Sequence, residues 1–182
     1  MPSTQQTSTT PEADRDRWRT PPYLLEFAAA RFGAFDVDLA ADASNAIADR
    51  YFDLERSALE RDWWADDAAP THGWLNPPHS KITPWADKAC EEQRLGFSTT
   101  LLLPSYTSEA WFTRLIEHAA EVIFIEGRIS FLRPDGEPAD QNRFGSALIH
   151  LRGGEPWAPP RVIWIRRHEI PGAPLKRRGR AS

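Results

Sequence analysis

Two short runs of consecutive apolar residues constrain the fold of this chain more than any other feature of its sequence. Residues 99–103 form the first run, which ends at Pro104, and residues 122–125 form the second. Continuous apolar runs of this length are typical of strands that are buried on both faces of a sheet. Between them, after an N-cap at Thr107 or Ser108, five residues share one face of a predicted helix: Trp111, Phe112, Leu115, Ile116 and Ala119. The pattern predicts buried strands alternating with amphipathic helices.

The same alternation extends along the rest of the 182 residues. A helix is expected to begin after an N-cap at Thr20 and to end at Gly33. The other predicted elements are a strand at 35–39, a helix around 45–52, a strand that ends before Asn76, a helix at 83–95 and strands at 147–151 and 162–165. This order predicts an α/β fold with a mostly parallel sheet, an antiparallel edge and helices on both faces.

Asp38 and Asn76 both fall at predicted strand ends. In open α/β sheets, ligands bind in the crevice outside the carboxyl ends of the strands. We therefore expect these two side chains to share one crevice.

Composition and charge indicate one domain with polar flanks. Residues 1–14 are rich in Ser, Thr and Gln and are expected to be disordered; residues 15–170 form the domain, and residues 171–182 form a basic flexible tail. The net charge is −4, with an acidic stretch at 36–67 and a basic C-terminal end. Such a tail could hold a polyanion or could only aid solubility, and the sequence leaves both interpretations open.

Several classes of protein are disfavoured. No apolar run approaches the roughly 20 residues needed to span a bilayer, and no apolar signal region is present near Met1, so a cytoplasmic location without membrane contact is expected. The single cysteine, Cys90, excludes an intrachain disulfide and is predicted to be a buried apolar residue. The five histidines show no ligand spacing, so we expect no metal site.

The segment Asn76-Pro77-Pro78-His79 has the chemistry to hold an amine. Because proline lacks an N–H, neither proline can continue a sheet ladder, and the backbone stays extended with its carbonyls available. The Asn76 side-chain oxygen and the Pro77 carbonyl could each accept one hydrogen from an exocyclic amine such as adenine N6, while His79 stacks on the base. Alone, an Asn-Pro-Pro tripeptide is more often a turn than a site.

Five short motifs occur in order between about Trp18 and Leu151. They are Trp18-Arg19-Thr20-Pro21, then 35–41 (Phe-Asp-Val-Asp-Leu-Ala-Ala) with Asn45 and Tyr51, then 76–80 (Asn-Pro-Pro-His-Ser) with Trp85, then Leu102-Leu103-Pro104 before Trp111-Phe112, and Gly127-Arg128-Ile129-Ser130-Phe131. Each motif alone is weak, but five in this order and spacing are specific. The chain thereby resembles the phage and prophage N-6-adenine DNA methyltransferases, often called Dam-like.

The resemblance implies a class I, Rossmann-like methyltransferase fold, and transfer of a methyl group from S-adenosylmethionine to adenine N6 at specific sites in double-stranded DNA, in a bacterial host cell. The catalytic site for the target amine would consist of Asn76, Pro77, Pro78 and His79. The cofactor pocket would include Thr20, Pro21, Asp38 and Ala40, with Asp38 near the methionine ammonium. The residues expected to contact DNA are Arg128, Arg133 and Arg143.

Two positions depart from the family pattern. His79 stands where the family usually has Tyr, and its smaller ring would stack less area on a flipped adenine. Residues 57–59 are Ser-Ala-Leu where many relatives have Asp-Gly-Leu. If that acid held the cofactor ribose, its replacement here would be Asp53, Glu55 or Asp62.

Two other functions stay open at this point. One is a methyltransferase that acts on RNA amines or on a protein amide nitrogen. The other is a catalytically impaired relative that still binds DNA.

Overall fold

A computed structural model of the protein describes residues 18–63, 72–139, 144–154, 156 and 159–174. The segment predicted to be disordered, 1–14, and residues 175–182 of the predicted tail lie outside these ranges. Within them the chain forms helices α1 (Pro22–Phe32), α2 (Ile82–Arg94) and α3 (Ala110–His118), and a short 3-10 helix at Arg167–Glu169. None of the helices described is long and apolar enough to cross a membrane.

Seven strands form one sheet. They are β1 (Val37–Asp38), β2 (Arg50–Tyr51), β3 (His72–Leu75), β4 (Ser98–Pro104), β5 (Glu121–Glu126), β6 (Ser146–Leu151) and β7 (Arg161–Arg166). Their order across the sheet is β2-β1-β3-β4-β6-β5-β7. Strand β6 is antiparallel to its neighbours β4 and β5, and the other four pairs are parallel. This topology confirms the predicted α/β class and is consistent with a class I methyltransferase-like fold.

The position of the antiparallel strand differs from the expectation. It lies inside the sheet, between β4 and β5, and the edge strand β7 is parallel to its neighbour. Strand β6 is almost entirely buried, whereas β7 alternates exposed and half-buried residues and is bounded by the exposed Arg161 and Arg166. A strand that is apolar on both faces needs a neighbour on each side and cover on each face, which an edge does not provide.

Helices cover both faces of the sheet, as predicted. Successive side chains of a strand point to opposite faces. Leu101 and Leu103 of β4 accordingly pack into the core formed with α2 and α3, whereas Leu102 packs into the core formed with α1. Cys90 lies buried in the first core, as predicted, and burial raises the pKa of its thiol to about 11.

Two helices begin later than the sequence predicted. Helix α1 begins at Pro22 after an N-cap at Pro21, so the predicted N-cap at Thr20 is wrong. Proline in the first turn costs no hydrogen bond, because the first N–H groups of a helix have no intrahelical partner. Helix α3 begins after Glu109 instead of after Thr107 or Ser108. The predicted end of α1 at Gly33 is confirmed, with φ of 102° at that glycine.

The helix predicted around residues 45–52 is absent, and the chain there forms a turn followed by β2. Short polar side chains take the backbone groups that a helix would use. The Asp42 N–H donates to Asn45 Oδ1 at 2.7 Å, and the Ser44 N–H donates to Asp42 Oδ1 at 2.7 Å. Asp and Asn compete with helices in this way through side chain–backbone hydrogen bonds.

A chain of polar side chains crosses three neighbouring strands. His72 Nε2 lies 2.8 Å from Thr100 Oγ1, which lies 3.0 Å from His150 Nδ1. The ring of Phe32 stacks on His150 with centroids 4.5 Å apart. Burial lowers the pKa of both histidines, that of His150 to about 4, with a further lowering of His150 by the nearby His72 and Arg152.

The hydrogen-bonded side chains of His72, Thr100 and His150 predict that the stability of the protein depends on pH. Folding lowers the pKa values of both histidines. Their contribution to the free energy of unfolding is therefore complete above about pH 6.5 and is lost as pH falls towards 4. His150→Gln, which does not titrate, should therefore show a smaller fall in the free energy of unfolding between pH 6.5 and 4.5 than the parent. The difference is at most roughly 3 kcal/mol.

Urea unfolding at several pH values measures this difference. Asp38, whose pKa folding raises to about 6, contributes with the opposite sign in an overlapping range, but it is the same in both proteins and cancels in the comparison. Equal slopes for parent and variant would contradict the assignment to the histidines.

Candidate active site

The carboxyl ends of β1, β2 and β3 lie side by side at one edge of the sheet. The three strands are parallel and adjacent, and Asp38 pairs with Tyr51 on one side and with Trp74 on the other. Neighbouring strands lie about 4.8 Å apart. The structure thus places Asp38, at the end of β1, and Asn76, directly after β3, at the same edge of the sheet.

Asn76 follows β3 directly and carries an unpaired polar atom. Its Nδ2 donates to Thr20 Oγ1 at 3.2 Å, while its Oδ1 is buried and has no hydrogen-bond partner in the part of the chain that the structure describes. A buried acceptor without a partner costs on the order of 1–3 kcal/mol. Such groups are uncommon in folded proteins, and one beside two prolines at a strand end marks a place where a donor from a ligand would be accepted.

The two prolines differ in the availability of their carbonyls. The Pro78 carbonyl accepts the N–H of Lys81 at 3.3 Å. Pro77 is buried and stands next to Asn76. Of the two carbonyls, that of Pro77 is therefore the better candidate for a contact with a ligand.

Thr20 is hydrogen-bonded to Asn76 and is buried, with 9% of its surface exposed. Its segment is held in place by a backbone pair in which the Arg19 N–H donates to the Leu132 carbonyl at 2.8 Å and the Leu132 N–H returns a bond of 2.9 Å. The first of the five sequence motifs is therefore paired with the residue that directly follows the last motif, and it lies next to the third. No local signal in the sequence could have revealed this contact, because it joins residues more than a hundred positions apart.

The aromatic rings of Trp18, His79 and Phe131 lie close together, and His79 belongs to the same segment as Asn76. The His79 ring meets Phe131 edge-on, with centroids 6.2 Å apart and an interplanar angle of 81°. Trp18 stacks on Phe131 from another side at 6.3 Å. His79 is exposed, yet desolvation by the surrounding protein lowers its pKa to about 4. Solvent moderates a shift at an exposed ring, and the direction is sufficient here: the imidazole is neutral at pH 7.

Asp38 is a buried carboxylate, with 4% of its surface exposed, and not a solvated acid at a strand end. Its Oδ1 accepts the Ala40 N–H and its Oδ2 accepts the Ile47 N–H, each at 3.2 Å. Desolvation raises its pKa to about 6, against the two hydrogen bonds, which lower it. The group is therefore ionised at pH 7, and it holds the turn after β1 against the turn before β2.

Three acids were candidates for a ribose contact. Asp53 follows β2 after one intervening residue and is partly buried, whereas Glu55 and Asp62 are exposed. The Asp53 carboxylate accepts the backbone N–H groups of Glu55 and Arg56 at 3.0 and 2.8 Å. Among the three, Asp53 lies closest to the carboxyl end of its strand.

Two of the three arginines predicted to contact DNA lie within the described residues. Arg128 and Arg133 are exposed in the segment that follows β5, and Arg143 lies outside the described residues. The basic residues 176–180 also lie outside them. Of the late arginines that are described, Arg166 forms ion pairs of 3.4 Å with Glu126 and with Glu169. Trp85 is buried in the first core, in agreement with the packing role predicted for it.

Comparison with known proteins indicates the same family as the five motifs. The sequence model described as DNA N-6-adenine-methyltransferase (Dam) matches residues 7–170. A DNA N-6-adenine-methyltransferase of Escherichia phage T1 is 33% identical over 159 residues, which cover 79% of this chain and 65% of the relative. This chain thus spans slightly less than two thirds of that protein.

A second relative, the DNA N-6-adenine-methyltransferase of Haemophilus phage HP1, is 28% identical over 167 residues, which cover 90% of this chain and 94% of the relative. Together with the family match over most of the chain, these similarities confirm the resemblance drawn from the five motifs. The chain belongs to the DNA N-6-adenine-methyltransferase (Dam) family.

Proposed function

We propose that this chain transfers a methyl group from S-adenosylmethionine to the N6 amine of adenine in double-stranded DNA, with Asn76 at the centre of the site. The observation that carries the proposal is the buried Asn76 Oδ1 without a partner. An exocyclic amine supplies the N–H donor that this oxygen lacks. The family relationship supports DNA as the substrate.

In the proposed mechanism, the target adenine leaves the base stack at a cost of a few kcal/mol and enters the crevice. Asn76 Oδ1 and the Pro77 carbonyl each accept one N6 hydrogen. These acceptors draw electron density onto a nitrogen whose lone pair is otherwise delocalised into the purine ring. They also orient that nitrogen towards the methyl group. Bound S-adenosylmethionine would supply the methyl group: the N6 lone pair would form the new N–C bond as the S–CH₃ bond breaks, and one N6 proton would leave to water.

The chain's residues fit a bound methyl donor chemically. S-adenosylmethionine, when bound, supplies an electrophilic methyl group and a cationic ammonium. Asp38 is ionised at pH 7, and each of its oxygens retains a lone pair beyond the one used by Ala40 or Ile47. We propose that Asp38 and Ala40 belong to the donor pocket and that Asp53 contacts the ribose. Arg128 and Arg133, together with Arg143, are proposed to contact the DNA backbone.

Asn76→Ala should lower the rate of DNA methylation by roughly a hundred- to a thousandfold, since it removes an acceptor that stabilises charge in the transition state. Asn76→Asp keeps an acceptor oxygen at the Oδ1 position and should retain more activity than Asn76→Ala. The assay measures transfer of a labelled methyl group from S-adenosylmethionine, with DNA, RNA and protein tested side by side. Leu95→Ala, at an exposed residue after α2, serves as the control.

Three outcomes would overturn the proposal. Equal activity of Asn76→Ala and the parent would remove Asn76 from the site. Transfer to RNA or protein but not to DNA would favour the first alternative function. DNA binding without any binding of S-adenosylmethionine in calorimetry would favour the catalytically impaired relative.

His79→Tyr should lower the KM for DNA several-fold, and His79→Ala should raise it about tenfold, because base–aromatic stacking contributes roughly 1–3 kcal/mol per base. Since the His79 ring is neutral at pH 7, the ratio of parent to His79→Tyr activity should stay constant between pH 6 and 8. Steady-state kinetics at several pH values measure both effects. A ratio that changes with a midpoint near pH 6.5 would contradict the neutral ring.

Asp38→Asn should weaken the binding of S-adenosylmethionine and destabilise the fold by about 1–3 kcal/mol. The amide has one oxygen where the carboxylate has two, so either the Ala40 or the Ile47 N–H loses its acceptor. Calorimetry measures the binding and urea unfolding the stability. Destabilisation without weaker binding would assign Asp38 to the turn alone.

A further inference from the structure

Among the described residues, the side-chain amide of Asn76 has one hydrogen-bond partner, Thr20. The two residues are 56 positions apart in the chain, and Asn76 Nδ2 donates to Thr20 Oγ1 at 3.2 Å. Thr20 is buried. The bond occupies the donor end of the amide and leaves the acceptor end, Oδ1, unpaired.

Thr20 is held firmly on both sides. Before it, Arg19 exchanges two backbone hydrogen bonds with Leu132. After it, Pro21 has φ of −61° and ψ of 138°, and its carbonyl accepts the Leu24 N–H at 3.0 Å in the first turn of α1. Because the backbone is tied immediately before and after Thr20, its hydroxyl is a fixed reference point for the Asn76 amide.

The amide needs such a reference. The last torsion of an asparagine side chain joins an sp³ to an sp² carbon and is broad, so an amide without partners samples many angles. A threonine hydroxyl can donate as well as accept. Only the orientation in which Nδ2 donates to Thr20 offers an oxygen to an amine, since the flipped amide would set N–H against N–H.

We infer that Thr20 is a positioning residue for methyl transfer, which aims Asn76 Oδ1 at the target amine, and not a contact of the methyl donor. The inference rests on the proposed function of Asn76. It changes the role that the motif resemblance implied for Thr20, because the contact in the structure is with the amine site.

A purely structural role for Thr20 is the main alternative. In that case the hydrogen bond would only fasten the segment before α1 to the end of β3, and its loss would lower stability without a selective effect on the chemical step. A contact with the methyl donor is the other alternative, and its loss would raise the KM for S-adenosylmethionine. The three roles therefore differ in measurable parameters.

The test compares Thr20→Val, which keeps the shape and removes the hydroxyl, with Thr20→Ser, which keeps the hydroxyl. Thr113→Val, at an exposed threonine of α3, is the matched control. Steady-state methylation of duplex DNA gives kcat and both KM values, and thermal unfolding gives stability. We expect Thr20→Val to lower kcat roughly ten- to a hundredfold, with the KM for S-adenosylmethionine within twofold, and Thr20→Ser to stay within threefold of the parent in kcat.

If Thr20→Val does not fold, the pair Thr20→Ser and Thr20→Ala asks the same question, since the two differ only by the hydroxyl. A normal kcat in the variant without a hydroxyl overturns the inference. So does a raised KM for S-adenosylmethionine with unchanged kcat, or loss of activity in Thr20→Ser equal to that in the variant without a hydroxyl.

Failure of this inference is separable from failure of the proposed function. If the parent methylates DNA and Asn76→Ala does not, while Thr20→Val does so at the parental rate, only the role of Thr20 is wrong. If the parent protein methylates no DNA, the proposed function itself fails.

Discussion

The parallel pairing of β3 with β1 is the constraint on which the candidate site depends. It sets Asp38 opposite Trp74. Asn76 lies two residues beyond Trp74 and therefore at the same edge of the sheet as Asp38. The pairing is extended by bonds from the Asp36 N–H to the His72 carbonyl and from the Leu39 N–H to the Trp74 carbonyl, of 2.8 and 2.9 Å. Without this register, Asn76 and Asp38 would not lie at the same edge of the sheet.

A glycine leaves room for the side chains that pack on this part of the sheet. Gly73 lies in the middle of β3, and a Cβ there would come within 2.7 Å of Leu39 Cδ1 and 2.9 Å of Phe97 Cε1. The buried side chains of both neighbours therefore occupy the space above this glycine. In a strand, glycine usually marks such a close approach. The apolar core and the geometry of the site are thus set by the same few residues.

Polar side chains near the carboxyl ends of the strands differ in their hydrogen bonding from those farther away. Away from the site, His72, Thr100 and His150 form a connected chain of hydrogen bonds. At the carboxyl edge, Asp38 has two backbone donors, but Asn76 Oδ1 has none. Among the described residues, Thr99 Oγ1 of β4 is also buried without a partner, but Asn76 Oδ1 is the unpaired acceptor that directly follows the carboxyl end of a strand, where stability can be given up for binding.

Hydrophobic pattern and turn residues determined much of this protein before any tertiary contact was known. Helix α2 and strand β4 could be predicted to within one residue because their apolar periodicity is unambiguous, and Pro77 and Pro78 required β3 to end where it does. The order and spacing of five motifs indicated the family. Only the tertiary structure decided the interior position of β6 and the contact of Thr20 with Asn76. Both depend on partners far away in the chain, and local propensity carries no information about such partners. The turn at 42–49, by contrast, is held by local side chain–backbone hydrogen bonds that compete with a helix.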